Sequence, residues 1–409
     1  MKGIIVDCYG AGVHLAKNLL CKNVELDHVR SSNYIPIPFR ATYSEEIFSN
    51  SIMLDESQEL SQIDLLRKDD YDFVIAGSES GVIMADKIAS FLNLAGNDVN
   101  LSKARRNKAL MLERLKLNGL KTVDSVLVNT PNFEAPSDFY PMVVKPVDSG
   151  GSEDVRICID GHAAKKAVCD ILNKKNIFGC KNKAALLQKK LLGTQFMVNS
   201  ISFEGHHKVT EIWKEERVHT PEGYSIYDKE VLMPHDFEYK DEIISYVDDV
   251  LTALGMQFGP AHTELFFTKD GPVLLESASR IQGGIDGEAL VAALGSSQIT
   301  QTVNLLLNNS SFHSIKPDYS PEKAVMLVNF IAHKAGLIKD IVLDGTVKKL
   351  SSFHSSKLSV KKGGFLSRTI DLLTKPGHLY LINESREKIF KDYENVREFE
   401  EKGKIFFLG

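Results

Sequence analysis

The chain has few cysteines and no long apolar run, and each shortage argues against a class of protein. Its five cysteines among 409 residues are widely spaced and form no C-x-x-C pair, which disfavours a disulfide framework or a zinc site. Asp7 interrupts the only apolar run near the N-terminus, and no other run is long enough to cross a bilayer. We therefore expect a cytoplasmic protein with reduced thiols and no membrane partner.

The chain also lacks the charge pattern of a nucleic-acid-binding protein. Its net charge is −5, and no basic stretch alternates with aromatic residues, so we expect no nucleic-acid partner. It has no internal repeat and no low-complexity linker. What remains is an ordinary globular composition, with 43% hydrophobic and 25% charged residues, in a length that predicts two to three domains.

Alternating strand and helix patterns open the chain. Gly3–Cys8 predicts a buried strand, Gly10-Ala-Gly12 a turn into an amphipathic helix, and Tyr71–Ala76 a second strand followed by a helix. This alternation predicts a doubly wound parallel α/β domain over about residues 1–95. The glycine turn lacks the third glycine and the acidic partner of a dinucleotide site, so a tight strand-to-helix turn is the preferred interpretation.

A glycine-rich loop lies between two predicted strands in the middle of the chain. The strand Pro141–Pro146 carries Lys145, the loop Val147–Val155 follows, and Arg156–Ile159 is the next strand. No helix and no GKT or GKS sequence follows the loop, which therefore predicts a flap rather than a P-loop. Its backbone N–H groups can point at phosphate oxygens, and a plain hairpin is the alternative.

Two glutamates fall on a predicted hairpin further along. Glu264 and Glu276 lie on apolar segments joined by the turn Thr268–Pro272, so neighbouring strands would bring them to one edge. Two carboxylates repel unless a cation lies between them, and Mg²⁺ is the usual ion, held by one or two carboxylates plus substrate phosphates. Arg280 adds a planar cation suited to phosphate or carboxylate. Two exposed glutamates on an ordinary hairpin are the alternative.

Four motifs follow one another in a fixed order. They are Arg105–Lys108, the flap Lys145–Ser152, a hinge at Gln188–Gln195, and Glu264 and Glu276 with Arg280. In this order they resemble the ATP-grasp superfamily across almost the whole chain. Within it, the chain is similar to the L-amino acid ligases, which make dipeptides, and that closer likeness is carried by Gly77–Val82, Gly96-Asn97, Arg105–Lys108, Gly259–Glu264 and the run from Gly271 to Gly284.

The resemblance implies a three-part α/β and α+β architecture. It expects an N-terminal doubly wound parallel domain over residues 1–95 and a two-lobed ATP-binding domain over residues 96–315. The flap and hinge lobe would cover about 120–195, and the metal-binding lobe about 196–315. A small, mostly β C-terminal domain or lid would follow over residues 316–409.

The resemblance also assigns ligands and roles. ATP and Mg²⁺ are the implied cofactors, Mn²⁺ can substitute for Mg²⁺, amino acids are the implied substrates, and a homodimer is a habit of the superfamily. Glu264 and Glu276 would hold the metal, and Arg280 and His262 are the catalytic candidates. Contact with the nucleotide is expected of Lys108, Lys145, Ser149, Gly150, Gly151, Ser152, Gln188, Lys189, Leu191 and Gln195. Contact with substrate is expected of Glu79, Ser80, Ser277, Gly283 and Gly284.

Two of these residues have an alternative interpretation. His262 could instead be a structural histidine that bonds a backbone carbonyl, and Ser80 could instead cap a helix. Trp213 is better explained as a core residue than as a stacking platform. Gly284 lacks a side chain, which would leave room for a bulky second substrate.

The chain departs from the superfamily pattern at a few positions. Gln188 and Gln195 replace common glutamates, although an amide can still accept a hydrogen bond from a ribose hydroxyl. Ser277 stands where many relatives have a metal-binding asparagine and would be a poorer ligand. Asp154 occupies a position often held by glycine, where a carboxylate disfavours phosphate unless it points outward.

The implied activity is an ATP-dependent carboxylate–amine ligase that joins two L-amino acids through an acyl phosphate. A carboxylate does not react with an amine at neutral pH, whereas an acyl phosphate does. Two alternatives stay open: another ATP-grasp ligase or carboxylase acting on a different carboxylate, and a non-catalytic ATP-binding protein. A dehydrogenase built on the first domain is the least favoured reading.

Overall fold

The computed structural model describes residues 1–54, 63–64, 66–219, 225–315, 320–371 and 374–409. The N-terminal part contains β1 (Lys2–Val6), α1 (Ala11–Leu20), β2 (Glu25–Arg30), β3 (Asn50–Met53), β4 (Phe73–Ala76) and α2 (Val82–Phe91). Its strands form a parallel sheet in the order β3-β2-β1-β4. Alternate residues of β1 belong to two different hydrophobic cores, so both faces of the sheet are covered. This confirms the predicted doubly wound domain.

The turn between β1 and α1 depends on glycine. Gly10 has a φ of +56°, in the left-handed region that glycine tolerates. A Cβ at Gly12 would lie 2.3 Å from the carbonyl oxygen of Gly77, so α1 can approach the end of β4 this closely only at a glycine. The two glycines therefore make a tight strand-to-helix turn, as preferred from the sequence.

A second, antiparallel sheet carries the flap and the hinge. It contains β5 (Ser125–Val128), β6 (Met142–Pro146), β7 (Arg156–Cys158) and β8 (Ala185–Lys189), in the order β5-β8-β6-β7. Helices α3 (Lys108–Leu117) and α4 (Gly161–Leu172) flank it in the chain, and α4 buries its apolar side against the sheet. The predicted strands on either side of the flap are confirmed to within a residue or two.

An eight-stranded antiparallel sheet forms the other wall of the cleft. Its first strands are β9 (Thr194–Phe203), β10 (His206–His219), β11 (Ser225–Leu232), β12 (Phe258–Thr268) and β13 (Gly271–Ala278). The helices α5 (Lys240–Ala253), α6 (Gly287–Leu294), α7 (Gln298–Leu307) and α8 (Ser311–Ser314) accompany it. Trp213 on β10 is 2% exposed within the main core, which confirms its interpretation as a core residue.

The C-terminal segment continues the same sheet. It contains β14 (Ala324–Asn329), β15 (Gly336–Ile341), β16 (Phe353–Leu358), β17 (Phe365–Leu366), β18 (Gly377–Asn383), α9 (Arg386–Glu401) and β19 (Phe406–Leu408). The large sheet runs β13-β12-β9-β10-β11-β14-β18-β16, and a separate small sheet runs β17-β15-β19. The mostly β character is as expected. However, the sheet crosses the predicted division at residues 315/316, and residues 316–319 lie outside the described residues.

Helix α9 has a side-chain cap at its N-terminus. Ser385 caps it by accepting a hydrogen bond from the backbone N–H of Lys388, and the helix starts at Arg386.

Within the described ranges, no single helix is long and apolar enough to span a membrane. Helices α6 and α7 reach that length and composition only as a pair bent by 90°. All five cysteines are free thiols.

Candidate active site

The two glutamates of the predicted hairpin face each other. Glu264 on β12 is the direct antiparallel partner of Glu276 on β13, so both side chains project from one face of the sheet. Their side chains are 22% and 25% exposed, which leaves them open to the cleft. The structure therefore brings the predicted metal-binding pair together, on the face that looks toward the four-stranded sheet.

Each glutamate has a polar neighbour. Lys108 Nζ lies 2.7 Å from Glu276 Oε2 and also donates to the Ser149 carbonyl oxygen at 2.8 Å. His262 Nε2 lies 3.4 Å from Glu264 Oε1, and Gln195 Nε2 donates to Glu264 Oε2 at 3.3 Å. Burial acts to raise the pKa of Glu264, but the hydrogen bond and charge of His262 and the nearby arginines outweigh it and lower that pKa. Glu264 is thus held as a carboxylate.

The donor set of this pair fits a magnesium ion that arrives with a nucleotide. Among the described residues, no group of three or more His, Cys, Asp or Glu side chains could hold a metal ion by itself. Two carboxylates with room for phosphate oxygens is the arrangement that Mg²⁺ prefers, and it does not suit a resident zinc ion.

The opposite wall of the cleft presents Lys145 and Gln188. Cross-strand pairing of β6 with β8 puts Val143 opposite Gln188 and Lys145 opposite Leu186, so Lys145 and Gln188 share a face. Burial lowers the pKa of the Lys145 ammonium to about 8, and Lys108 adds to this shift against the opposing effect of Glu276 and Glu264. The Nε2 of Gln188 is buried and has no hydrogen-bond partner among the described residues. A ligand that brings acceptor atoms and negative charge, such as ATP, would satisfy both groups.

The hinge residues have distinct surroundings. The backbone N–H of Lys189 donates to the Asp124 carbonyl at 3.0 Å, while its ammonium reaches Asp138 at 3.3 Å and is nearly half exposed. Leu191 packs against the small apolar cluster that contains Leu186. A nucleotide base would therefore meet apolar side chains and backbone here rather than the lysine charge.

The flap touches both walls. Ser152 and Tyr227 on β11 are joined by a hydroxyl–hydroxyl hydrogen bond of 2.5 Å, and Ser149 donates to Glu153. Gly151 has a φ of +65°, and a Cβ at Gly150 would lie 3.4 Å from the Phe178 ring. The loop therefore lies closed over the cleft, with the predicted phosphate-binding residues at its mouth.

The backbone conformation of Asp154 explains why glycine is common at this position. Its φ is +53°, a left-handed conformation that aspartate tolerates better than most residues. Its carboxylate pairs with Lys174 at 3.0 Å and with Arg156 at 3.6 Å. The charge is thus neutralised by these two neighbours and is not an obstacle to phosphate.

Arg280 belongs to a charged chain that runs to the flap. Its Nε donates to Glu79 Oε2 at 2.7 Å, and Arg106 Nη1 donates to Glu79 Oε1 at the same distance. Arg106 also binds Asp148 at 2.5 Å and lies over the Phe178 ring at 4.8 Å. Burial opposes ionisation of Glu79, but the charges of Arg280 and Arg106 outweigh it and lower the pKa of Glu79.

From the run Arg105–Lys108 the sequence assigned a role to Lys108 alone, and the structure separates the roles of the other cations. Arg105 is 1% exposed and pairs with Asp86 at 2.6 Å, so it is a structural residue. Arg106 links Glu79 to the flap, and Lys108 faces Glu276. Sequence reasoning missed Arg106 and Asp148 as a connection, because the two lie 42 residues apart and meet only through the fold.

The remaining substrate candidates are distributed unevenly. Ser80 bonds the Ser78 hydroxyl at 3.1 Å, and no side chain caps α2, so the capping alternative was wrong. A Cβ at Gly283 or Gly284 would meet no atom within 4 Å, which leaves space beside Arg280. The φ of Gly284 is +75°, so any substitution there would also strain the backbone.

Ser277 does not join the acidic pair. Strand residues alternate between faces, so Ser277 points away from the face that Glu276 occupies. Its hydroxyl bonds that of Thr263 at 2.9 Å, and the residue is 4% exposed. The expected weak ligand is therefore buried in the core, and Ala278 is the next residue on the glutamate face.

A buried chain of polar side chains starts beside Glu264 and was not anticipated. His262 Nδ1 bonds Asn199 Oδ1 at 2.9 Å, Asn199 Nδ2 donates to Gln282 Oε1 at 2.6 Å, and Gln282 Nε2 donates to Glu230 Oε2 at 3.3 Å. His262 thus bonds side chains and not a backbone carbonyl. No local motif marks this chain, since its members come from β9, β11, β12 and a loop.

Residues 138–287 match the family model of the ATP-grasp domain. The chain therefore contains an ATP-grasp domain, and as a whole it resembles ATP-grasp enzymes of the carboxylate–amine ligase type. It is 29% identical to dapdiamide A synthase of Enterobacter agglomerans, over 97% of this chain and 95% of that protein. It therefore resembles the L-amino acid ligases within the superfamily, as expected from the sequence.

Solved structures share the fold over nearly the whole chain. An L-amino acid ligase from Bacillus licheniformis superposes with a TM-score of 0.76 at 20% identity, covering 97% of both chains. An N5-carboxyaminoimidazole ribonucleotide synthetase from Thermotoga maritima superposes with a TM-score of 0.66 at 17% identity, covering 97% of this chain and 98% of that one. These likenesses confirm the ATP-grasp architecture.

Proposed function

We propose that the chain joins the carboxylate of one L-amino acid to the amine of another through an acyl phosphate, releasing ADP and phosphate. The observation that carries this proposal is the facing pair Glu264 and Glu276, with Lys108 on one side, Arg280 beyond it and the flap above. The whole-length likeness to dapdiamide A synthase and to an L-amino acid ligase supports the same chemistry.

The side chains of the cleft supply what phosphoryl transfer to a carboxylate requires. Bound Mg²⁺, held by Glu264 and Glu276, would supply positive charge to the phosphate oxygens. Lys108 and Lys145 place two ammonium groups at the same point from the opposite wall. Their charges stabilise the negative charge that spreads over the transferred group.

Arg280 is oriented for the developing acyl phosphate. Its Nε is engaged by Glu79 and its Nη1 by the Ile281 carbonyl, whereas Nη2 makes no hydrogen bond to any described residue. The guanidinium is therefore held in place with one N–H edge open toward the cleft. Such preorganised donors act on charge that appears in the transition state.

The flap excludes water from the intermediate. Ser152 reaches across to Tyr227, and Arg106 ties Asp148 to Glu79, so the loop is held at its tip and at its base. Water that entered would hydrolyse the acyl phosphate before an amine could attack it.

We also propose that the chain is divided into three functional parts, residues 1–95, 96–315 and 316–409, although the large sheet crosses the last boundary.

A pairwise screen of L-amino acids tests the function. ADP or phosphate release is followed for each pair, and products are identified by mass, with the Glu276→Gln variant as the inactive control. A product whose mass equals the two substrates minus water supports the proposal. Nucleotide binding without turnover in any pair contradicts it and favours the non-catalytic alternative.

One second candidate rests on the likeness to the N5-carboxyaminoimidazole ribonucleotide synthetase fold, which extends over 97% of the chain. A related enzyme would activate bicarbonate or another small carboxylate instead of an amino acid. ADP release that depends on added bicarbonate, and not on any amino acid, would favour this candidate.

A further inference from the structure

Beyond Glu264, the same face of the large sheet carries a second set of charged groups. Gln195 is the cross-strand partner of Glu215, Glu215 of Glu230, and Glu230 of Leu327. Direct antiparallel partners project to the same side, so this row leads from the metal-binding pair to the C-terminal strands. Glu215 is paired with Arg217 at 2.5 Å, whereas Glu230 has no cationic partner at ion-pair distance among the described residues.

Glu230 is held by a neutral amide that leaves part of the carboxylate open. A carboxylate only accepts hydrogen bonds, so Gln282 must turn its NH₂ toward Glu230 and its oxygen toward Asn199. That orientation in turn makes Asn199 Oδ1 the acceptor for His262. Among the described residues only Glu230 Oε2 accepts a hydrogen bond, and burial together with the charge of Glu215 raises the pKa of Glu230. This is expected of a carboxylate that has no cation at ion-pair distance in the described part of the chain.

A cation lies close to Glu230 but is bound to another amide. Lys375 Nζ donates to Asn329 Oδ1 at 2.6 Å. Asn329 follows Leu327 by two residues on β14, so it shares the face of Glu230. Asn329 is 1% exposed, and its Nδ2 is buried with no hydrogen-bond partner in the part of the chain that the structure describes. His378 is its partner across β18.

The two opposite charges interact without touching. Glu230 and Lys375 each act on the pKa of the other, yet in the described part of the chain no ion pair joins them. Both residues are partly exposed, so both are accessible to a ligand. A partly desolvated cation and anion kept apart by neutral amides cost free energy, unless a ligand with complementary charges lies between them.

We propose that Glu230 and Lys375, with Asn329, form the subsite for the amino acid whose amine attacks: Glu230 binds its α-ammonium and Lys375 and Asn329 bind its α-carboxylate. This inference rests on the proposed function. It requires that the second substrate binds as a zwitterion. The first substrate loses its carboxylate charge at Arg280, whereas the second keeps its carboxylate in the product. A carboxylate that stays charged needs a permanent cationic partner. Arg217 is already neutralised by Glu215, which leaves Lys375 for this task.

The test compares amino acids with their α-carboxamides as attacking substrates. For the pair found in the screen, wild-type enzyme should use the acid at least about tenfold better in kcat/KM than the matched carboxamide, because a charge-assisted bond is lost. Lys375→Met should remove that preference, and Lys375→Arg should keep most of it. Glu230→Gln should raise the KM for the attacking amino acid while leaving the KM for ATP within about twofold.

Lys362→Met is the matched control, because Lys362 is 70% exposed and pairs only with surface Asp340 at 3.0 Å. It should keep the preference for the acid, and thermal unfolding should show that every variant is folded. If Lys375→Met discriminates acid from carboxamide as wild type does, the subsite is overturned while the ligase function stands. If no amino acid pair releases ADP, the proposed function and the subsite fail together.

Discussion

The protonation state of Lys145 should depend on whether the nucleotide is bound. It is 6% exposed in the cleft, and burial lowers its pKa to about 8. In the nucleotide-free protein at pH 8, about half of the Lys145 side chains therefore lack their proton. Bound phosphates favour the ammonium form, so the pKa of Lys145 should rise when ATP binds.

ATP binding at pH 8 should therefore be accompanied by uptake of up to about half a proton per site. Calorimetric titrations in two buffers of different ionisation enthalpy measure this uptake. At pH 6 the lysine is already protonated, so its contribution should vanish. Lys145→Arg carries a permanent charge and isolates the effect, and equal uptake by this variant and wild type would rule out the assignment.

Arg280 contributes its charge to the same reaction, at the position proposed for the acyl phosphate. Arg280→Ala removes the open N–H edge that faces the cleft and should lower kcat on the order of 10²-fold or more, with a smaller change in the KM for ATP. Steady-state kinetics with the pair found in the screen measures both constants. Near-normal ADP release by the variant would show that Arg280 is not part of the reacting site.

Strand alternation separates the residues that sequence reasoning placed well from those it misplaced. Glu264 and Glu276 were predictable, because a short turn fixes which residues of a hairpin face each other. Ser277 was assigned from its place in a motif, although alternation with Glu276 already directs it to the other face. Glu230 and Lys375 could not have been found, because 145 residues separate two positions that carry no local pattern.

At the scale of elements, the flap is the segment whose position decides the chemistry. Its base is tied to the N-terminal domain by Arg106, which binds Glu79 and Asp148 and stacks on Phe178. A lysine cannot form two directed bonds and stack at once. The flap sequence predicted phosphate binding, but this tie depends on three segments that the fold brings together.

Arg106→Lys should therefore loosen the flap. We expect the KM for ATP to rise by about tenfold, because charge-assisted hydrogen bonds are lost, and the yield of amide per ADP to fall as water reaches the intermediate. Parallel assays of ADP and of product mass give this ratio. Exposed Lys103→Met, on the same turn, is the control. A variant with unchanged KM and unchanged yield would show that the tie is not needed.

At the scale of the molecule, α9 is fastened to the large sheet by one arginine. Arg397 binds the Asp228 carboxylate at 2.7 Å and the Asn329 carbonyl at 2.9 Å, and it pairs with Glu400. The side chains of Asp228 and Glu400 are 6% and 1% exposed. Burial raises the pKa of Glu400 to about 7, against the opposing charge of Arg397.

Arg397→Met would leave buried Glu400 without its cation and would leave Asp228 with Lys229 as its remaining cationic partner. It should lower the free energy of unfolding by about 3–5 kcal/mol, as expected for a broken buried pair. Urea unfolding followed by the fluorescence of the single tryptophan, buried Trp213, measures this change. Lys402→Met removes an exposed pair with Glu398 and should change stability by less than about 1 kcal/mol. Equal effects of the two substitutions would refute the fastening role.

The order of domains along the chain was predictable, because alternating patterns and glycine turns are local. The continuity of the large sheet across residues 315/316 was not, because β14 pairs with β11 nearly a hundred residues earlier. Hydrophobic alternation identifies a strand but not its neighbour. The sequence therefore predicted a mostly β C-terminal segment but not that its strands β14, β18 and β16 extend the large sheet.

That shared wall has a mechanical consequence. Because its eight strands are joined edge to edge, the large sheet should move as one rigid unit. Entry and exit of ATP should therefore depend on tilting of the four-stranded lobe. The lobe leaves the wall at Gly193, where a Cβ would lie 2.1 Å from the Phe267 carbonyl oxygen. A compound that binds at this joint should hold the lobe in a partly open position. It should inhibit the enzyme without competing with any substrate.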